Sequence, residues 1–292
     1  MSLTAPRRIL LGLIGAGIGR SLTPAMHERE AAANGMNCLY QLLDIDRLGL
    51  TVEQLPELLD AAELLGFSGV NVTYPAKQHI IPLLDELCED ARAIGAVNTV
   101  VFKDGKRIGY NTDWWGFAES FKASLPDVTM GEVVQLGAGG AGAATAHAAL
   151  MMGTRTLRLV DADQSRAEQL AQSLNARFGE GRAVACTELE AAMRVADGLI
   201  HATPTGMAKH PGLPLPAELL RPGQWVSEIV YFPLQTALLQ AAQAKGCRTM
   251  TGGGMAVFQA VKAFELFTGV QPDASRMQQH FKELQANEDA RK

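Results

Sequence analysis

Glu132-Val-Val-Gln-Leu136 runs straight into Gly137-Ala-Gly139-Gly140-Ala-Gly142 and then into Ala143-Ala-Thr-Ala146. The first five residues read as a buried strand, the glycines as a tight turn, and Ala143 to Met152 as a helix stopped by Gly153. A dinucleotide needs this passage. One glycine makes the turn, a second lets the backbone approach the pyrophosphate, and a third lets helix and strand pack closely. The helix N-terminus then meets the negative charge. The following strand, Thr156–Asp161, ends in a carboxylate that can accept hydrogen bonds from both ribose hydroxyls and repels a 2′-phosphate. Ala162 comes next, where an arginine would welcome that phosphate, so the pattern predicts NAD in preference to NADP.

Working outward, strand-like and helix-like segments alternate along the chain. Ile9–Ile14, Leu39–Leu43 and Gly69–Thr73 read as strands, with helical stretches at Pro24–Asn34, Thr51–Leu65 and Pro75–Leu87. Val97–Phe102 and Arg107–Tyr110 read as a hairpin turned at Asp104-Gly105. Beyond the glycines the strands are Ala183–Cys186, Gly198–Ala202, Gln224–Ile229 and Arg248–Thr251. Helices are expected at Ser165–Phe178, Leu234–Lys245, Met255–Phe267 and Asp273–Gln285, with Asn287–Lys292 as a frayed tail. This alternation predicts an α/β protein with parallel sheets covered by helices.

An earlier glycine-rich stretch, Gly15-Ala-Gly17-Ile-Gly19-Arg20, also follows a strand. Arg20 stands where the third glycine is needed, and Ser21-Leu-Thr23-Pro24 follows in place of an alanine-rich helix start. It reads as a plain connection between strand and helix. The later loop binds the cofactor.

Length and composition bound the rest. At 292 residues two domains are expected: 1–115 for substrate and 116–255 as a Rossmann-type dinucleotide domain, with helices in 256–292 packing back on the first. A hydrophobic share of 47% with 20% charged residues is that of a globular protein, and the net charge of −5 supplies no basic field for nucleic acid or an anionic membrane. Cys38, Cys88, Cys186 and Cys247 are widely spaced and read as reduced thiols; the six histidines show no metal-ligand spacing, so no metal is expected. Ile9–Ile14 is too short for a signal segment or a membrane span, which makes the cytoplasm the expected location.

A dinucleotide domain beginning near residue 116 leaves the first part of the chain to hold a substrate. Polar residues there crowd the expected strand ends, where open sheets collect ligands: Ser21, Thr23, Asn71, Thr73, Lys77, Asn98, Asn111 and Asp113. Ser21-x-Thr23-Pro24, Asn71-Val-Thr-x-Pro-x-Lys77, Gly95-Ala-Val-Asn98-Thr, Asn111-Thr-Asp113, Gly137-x-Gly-Gly-x-Gly142, Ala202-Thr-Pro-Thr-Gly206-Met and Gly254-Met255 with Gln259 stand in one order. Together they resemble the shikimate/quinate dehydrogenase family over essentially the whole chain.

That resemblance implies a hydride transfer between NAD and a ring hydroxyl of quinate or shikimate, giving 3-dehydroquinate or 3-dehydroshikimate. It implies Lys77 and Asp113 as the catalytic pair, with Ser21 and Thr23 on the substrate carboxylate. Thr73, Asn98, Asp113 and Gln259 would hold ring hydroxyls, and Thr203 and Met255 would join Gly137, Gly139, Gly140, Gly142 and Asp161 at the cofactor. Tyr231 matches a family tyrosine at the substrate, although a core aromatic is an equal reading. The chemistry agrees: oxidising a secondary alcohol needs a base for the hydroxyl proton, and reduction needs an acid. Because a carboxylate favours the ammonium form, Asp113 would orient the lysine and bind the reacting hydroxyl, leaving desolvation to tune it. The expected partner is a small hydroxylated ring acid; assembly as a homodimer is left open.

Some positions depart from the family pattern. Thr23 replaces a serine usual in the biosynthetic enzymes, and Asp161-Ala-Asp163 replaces an Asn-Arg-Thr phosphate clamp, both pointing to the NAD-linked quinate/shikimate branch. Ala76, Trp114-Trp115 and His201 also differ; His201 reads as a buried, hydrogen-bonded strand-end histidine. The other readings are an NADP-linked biosynthetic shikimate enzyme, a paralogue acting on an aminated ring acid, and an NAD-sensing protein without chemistry.

Overall fold

Asp113 is where the chain passes from one folded unit to the other. The computed structural model describes residues 6–289. One unit comprises 1–112 with 259–292, the other 113–258. The first boundary falls just before the expected residue 115 because Asp113 heads a helix, Asp113–Ser124, whose Phe117 and Phe121 are core residues of the second unit. The second boundary lies within the helix Gly252–Thr268: Met255 joins the second unit's core, Phe264 and Phe267 the first's.

In chain order the first unit holds β1 (Arg8–Gly15), α1 (Thr23–Ala33), β2 (Asn37–Asp44), α2 (Ile45–Leu48), α3 (Leu55–Leu64), β3 (Gly69–Val72), α4 (Ala76–His79), β4 (Glu86–Leu87), α5 (Glu89–Ile94), β5 (Thr99–Lys103) and β6 (Lys106–Tyr110). Its six strands lie in the order β2-β1-β3-β5-β6-β4. β1 pairs in parallel with β2 and β3, whereas the β5–β6 hairpin adds to β3 antiparallel, so this sheet is mixed rather than parallel throughout. The hairpin turns at Asp104 and Gly105, at φ 52° and 71°, the left-handed pair a two-residue turn requires.

The expected helix Pro75–Leu87 is broken up. Only Ala76–His79 is α-helical, followed by a 3-10 turn at Ile81–Leu83 and the short edge strand β4. Pro82 has no N–H to continue the ladder, and its ring crowds the preceding turn. The helix expected at Thr51–Leu65 begins later, at Leu55. A 3-10 turn precedes it, boxed by Thr51 and Gln54.

The C-terminal helices belong to this unit. Arg276 makes a bidentate pair with the fully buried Glu30 of α1, at 2.8 and 2.6 Å, and Glu30 also accepts from Asp273 N–H at 2.9 Å. Beside them His27 is fully buried against Tyr40, Phe264 and Phe267, and neither ring nitrogen has a hydrogen-bond partner. Burial holds its pKa down to about 3. The unfolded chain takes up this proton near pH 6.5 and the native state only near 3, so stability falls as the pH drops between those values. Between pH 7 and 5 the native protein should lose about 2 kcal/mol that His27→Leu does not lose. Urea unfolding of both proteins at the two pH values measures this; parallel losses would refute it.

The second unit holds α6 (Asp113–Ser124), β7 (Glu132–Leu136), α7 (Gly140–Met151), β8 (Thr156–Val160), α8 (Gln164–Phe178), β9 (Ala183–Ala185), α9 (Leu189–Val195), β10 (Gly198–His201), β11 (Trp225–Glu228), α10 (Ala237–Ala244), β12 (Arg248–Met250) and the start of α11 (Gly252–Thr268). Its strands are all parallel, in the order β12-β11-β10-β7-β8-β9. Read from β9, this is the doubly wound order 3-2-1-4-5-6, which reverses between β7 and β10, where such sheets bind dinucleotides. The final helix, α12 (Ala274–Asp289), belongs to the first unit. It extends into the expected tail, whose last residues, 290–292, lie outside the described part. No helix among the described residues is long and apolar enough to cross a membrane.

Candidate active site

The second unit builds a cradle at the switch between β7 and β10. Gly137 leaves β7 at φ 102°, and a Cβ there would lie 2.5 Å from the Ala202 carbonyl oxygen after β10. At Gly142 a Cβ would strike the Gly137 carbonyl, so helix and turn meet only because both are glycine. Gly139 is the N-cap of α7; a Cβ there meets nothing within 4 Å, and no side chain caps the helix. With Gly140 in the first turn, this leaves a bare helix N-terminus with open space above it, which fits a pyrophosphate.

Gln135 locks the turn from beneath, a role missed in the sequence. Fully buried in β7, it donates to the carbonyls of Gly137 and Gly142 at 2.9 and 2.8 Å and accepts from the Thr145 hydroxyl at 2.9 Å. The signal was a lone amide in an apolar parallel strand. Asp161 follows β8 directly, and its carboxylate accepts from Ala138 N–H at 2.7 Å and Asp163 N–H at 2.9 Å. The expected acid is therefore attached to the glycine turn itself. Asp163 draws Arg166 to 3.4 Å, and its own acidity is increased first by a hydrogen bond from Ser165.

The earlier glycine stretch is occupied from within. Gly17 and Ile18 give their N–H groups to the two carboxylate oxygens of Asp44, at 3.0 and 3.1 Å. An anion arriving there would have to displace a buried carboxylate. The structure thus supplies the reason why this turn is a connection.

In the first unit, the predicted polar residues are joined through the backbone. Thr73 N–H donates to Ile14 O and Val72 N–H to Asn98 O, while Val97 N–H donates to the carbonyl of Lys77. Lys77 is half-buried on α4, between the fully buried Ala76 and the surface. Asn98 is buried, donates to the Thr112 hydroxyl at 2.9 Å and accepts Thr112 N–H at 2.7 Å. Asn71 turns inward instead: it accepts from the Tyr40 phenol at 2.7 Å and donates to Thr99 at 3.0 Å, holding β2, β3 and β5 together. Ser21 and Thr23 sit half-buried at the start of α1, with Thr23 N–H donating to the Ser21 hydroxyl at 3.3 Å. Gln259 is half-buried on α11.

In the second unit, Asp113 is buried at the head of α6. Tyr231, which is 44% exposed, lies close enough to this carboxylate for its charge to matter; desolvation and then Asp113 push the phenol pKa up, so Tyr231 keeps its proton. Met255 is nearly buried within the cluster of Phe117, Phe121 and Trp225. Thr203 lies over the glycine turn, its methyl 3.1 Å from where a Cβ at Gly137 would be. His201 is fully buried and hydrogen-bonded at both ring nitrogens, as expected for a strand-end histidine.

Comparison with known proteins covers most of the chain. Residues 13–100 match the shikimate dehydrogenase substrate binding domain, 252–280 the shikimate 5′-dehydrogenase C-terminal domain, and 120–218 the alanine dehydrogenase/PNT C-terminal domain. A shikimate dehydrogenase (NADP(+)) of Streptomyces avermitilis is 58% identical, covering 94% of this chain and 95% of its own. A quinate/shikimate dehydrogenase (NAD(+)) of Corynebacterium efficiens is 47% identical over 94% and 98%. Among solved structures, quinate dehydrogenase from Corynebacterium glutamicum in complex with NAD superposes with a TM-score of 0.90 at 45% identity, covering 95% of this chain and 99% of that one.

Proposed function

The chain belongs to the shikimate dehydrogenase family, and from that premise we propose that it exchanges a hydride between NAD and a ring hydroxyl of quinate or shikimate. The observation that carries the NAD reading is Asp161, whose carboxylate directly follows β8 and is hydrogen-bonded to the glycine turn. A 2′-phosphate there would meet two carboxylates, Asp161 and Asp163, and Arg166 is engaged by the second of them. The NADP reading draws on the name of the Streptomyces relative.

When bound, the dinucleotide supplies the nicotinamide that accepts or returns the hydride. The chain's residues do the rest. Lys77 takes the proton from the reacting hydroxyl, and Asp113 holds that hydroxyl and orients the lysine. Ser21 and Thr23 offer two hydroxyls to the ring carboxylate, while Thr73, Asn98 and Gln259 fix the ring hydroxyls. Tyr231, keeping its proton, has an O–H to donate. The wide spacing of the four cysteines, read as reduced thiols, favours a cytoplasmic setting.

Absorbance of reduced nicotinamide, followed with NAD or NADP against quinate and shikimate, tests the reading. Turnover is expected with NAD and at least one of the two acids, exceeding that with NADP by about tenfold or more in kcat/KM. Faster turnover with NADP on both acids would refute the cofactor assignment, and silence in all four mixtures the reaction itself.

A further inference from the structure

The second unit buries a chain of hydrogen bonds that the proposed reaction leaves without a role. It starts at Thr236, whose hydroxyl caps Leu239 N–H at 3.3 Å at the head of α10 and donates to Glu228 Oε2 at 2.9 Å. Glu228 Oε1 accepts from Val230 N–H at 2.9 Å and from His201 Nδ1 at 2.8 Å. Across the ring, His201 Nε2 lies 2.6 Å from the Thr203 hydroxyl, which also accepts Thr205 N–H at 3.3 Å. Both side chains of the central pair are fully buried, and His201 and Glu228 face each other in register on β10 and β11.

Counting donors gives the chain a direction. A carboxylate only accepts, so His201 carries its proton on Nδ1. In the neutral ring Nε2 is then an acceptor, and the Thr203 O–H is the donor facing it. The threonine proton is thereby committed inward. Its oxygen keeps two lone pairs, one taken by Thr205 N–H, and the residue sits over Gly137 at the dinucleotide turn.

We propose that His201 and Glu228 are positioning residues that hold Thr203 Oγ1 as a lone-pair acceptor toward the dinucleotide, where it receives a ribose hydroxyl or the carboxamide N–H. Phosphate oxygens, which only accept, find no partner there. The inference rests on the reading that the 137–142 turn holds the dinucleotide. It gives a function to the histidine that departs from the family's usual asparagine, and it ties the same carboxylate to Val230 N–H, beside Tyr231.

Calorimetric titration of NAD separates this role from simple core filling. Thr203→Val keeps the shape and removes the acceptor; His201→Asn keeps a donor for Glu228 and disconnects Thr203. Each should raise the Kd for NAD about tenfold, and the double variant should be no weaker than either, because both break one connection. Thr203→Ser should bind within about twofold of the native protein. If the acetylpyridine analogue of NAD, which has no amide N–H, loses nothing on Thr203→Val, the donor is the carboxamide; an unchanged penalty makes it the ribose. Native affinity in His201→Asn beside a weakened Thr203→Val would overturn the proposal, as would multiplying penalties in the double variant. Nitrogen-15 spectra of the native histidine judge it independently: the proton belongs on Nδ1 alone, and a proton on Nε2, with or without one on Nδ1, would refute the relay. Native protein that binds no NAD would strike the dinucleotide reading instead, with the spectrum still deciding the relay.

Discussion

Lys77→Ala should turn over its ring acid about 10²–10⁴ times more slowly than the native protein, with NAD affinity unchanged. The argument is chemical. Removing a hydride from a secondary alcohol is unproductive unless the hydroxyl proton leaves with it, and Lys77 is the group assigned to take that proton. Its side chain is half-buried and its backbone is held by Val97 N–H, so alanine leaves α4 in place and the fold should survive. Asp113→Asn should lose turnover on a similar scale, because an amide cannot orient an ammonium group as a carboxylate does. It also removes a negative charge from the first turn of α6, costing about 0.3–1 kcal/mol, so its kinetics belong well below the melting temperature. Steady-state kcat and KM with quinate and shikimate decide the matter. Either variant within threefold of native turnover would remove that residue from the chemistry.

The second large effect is on cofactor choice. Asp161→Ser should lower the ratio of kcat/KM with NAD to that with NADP roughly a hundredfold. The substitution removes two charge-assisted acceptors for the ribose and the charge that repels a 2′-phosphate, and it releases Ala138 N–H, now bound to that carboxylate. Asp163 remains, so preference should not reverse fully. Adding Asp163→Ala frees Arg166 from its 3.4 Å ion pair and should carry the double variant further toward NADP. A ratio unchanged in Asp161→Ser would mean that selectivity lies elsewhere in the turn.

What could be read in the sequence, and what could not, divides along a physical line. The Gly137–Gly142 turn, Asp161 and the Asp104-Gly105 hairpin were legible because each depends on local backbone geometry that particular residue types permit. The parallel sheet of the second unit was legible in its alternation of strands and helices; its strand order was not. Illegible were bonds between residues distant in sequence. Asp44 filling the first glycine turn and Glu228 gripping His201 each join segments that periodicity treats separately, whereas Gln135 lies beside the second turn and was passed over as one more strand residue. The lost helix at Pro75–Leu87 was a different failure: the apolar pattern was given more weight than Pro82, which stops a helix by geometry alone. Asp113–Ser124 was missed because its first residue lies within Asn111-Thr-Asp113, a motif read only for its chemistry.

The pairing of Glu30 with Arg276 has a consequence for synthesis. Residues 1–112 lack their last helices until the ribosome has made the rest of the chain, whereas 113–258 is continuous and can fold as soon as it emerges. The nucleotide half therefore matures first, as an insert within a partner still waiting for its closing segment. A nascent chain stopped before residue 259 would carry a complete cofactor fold attached to a first unit whose sheet lacks its last covering helices.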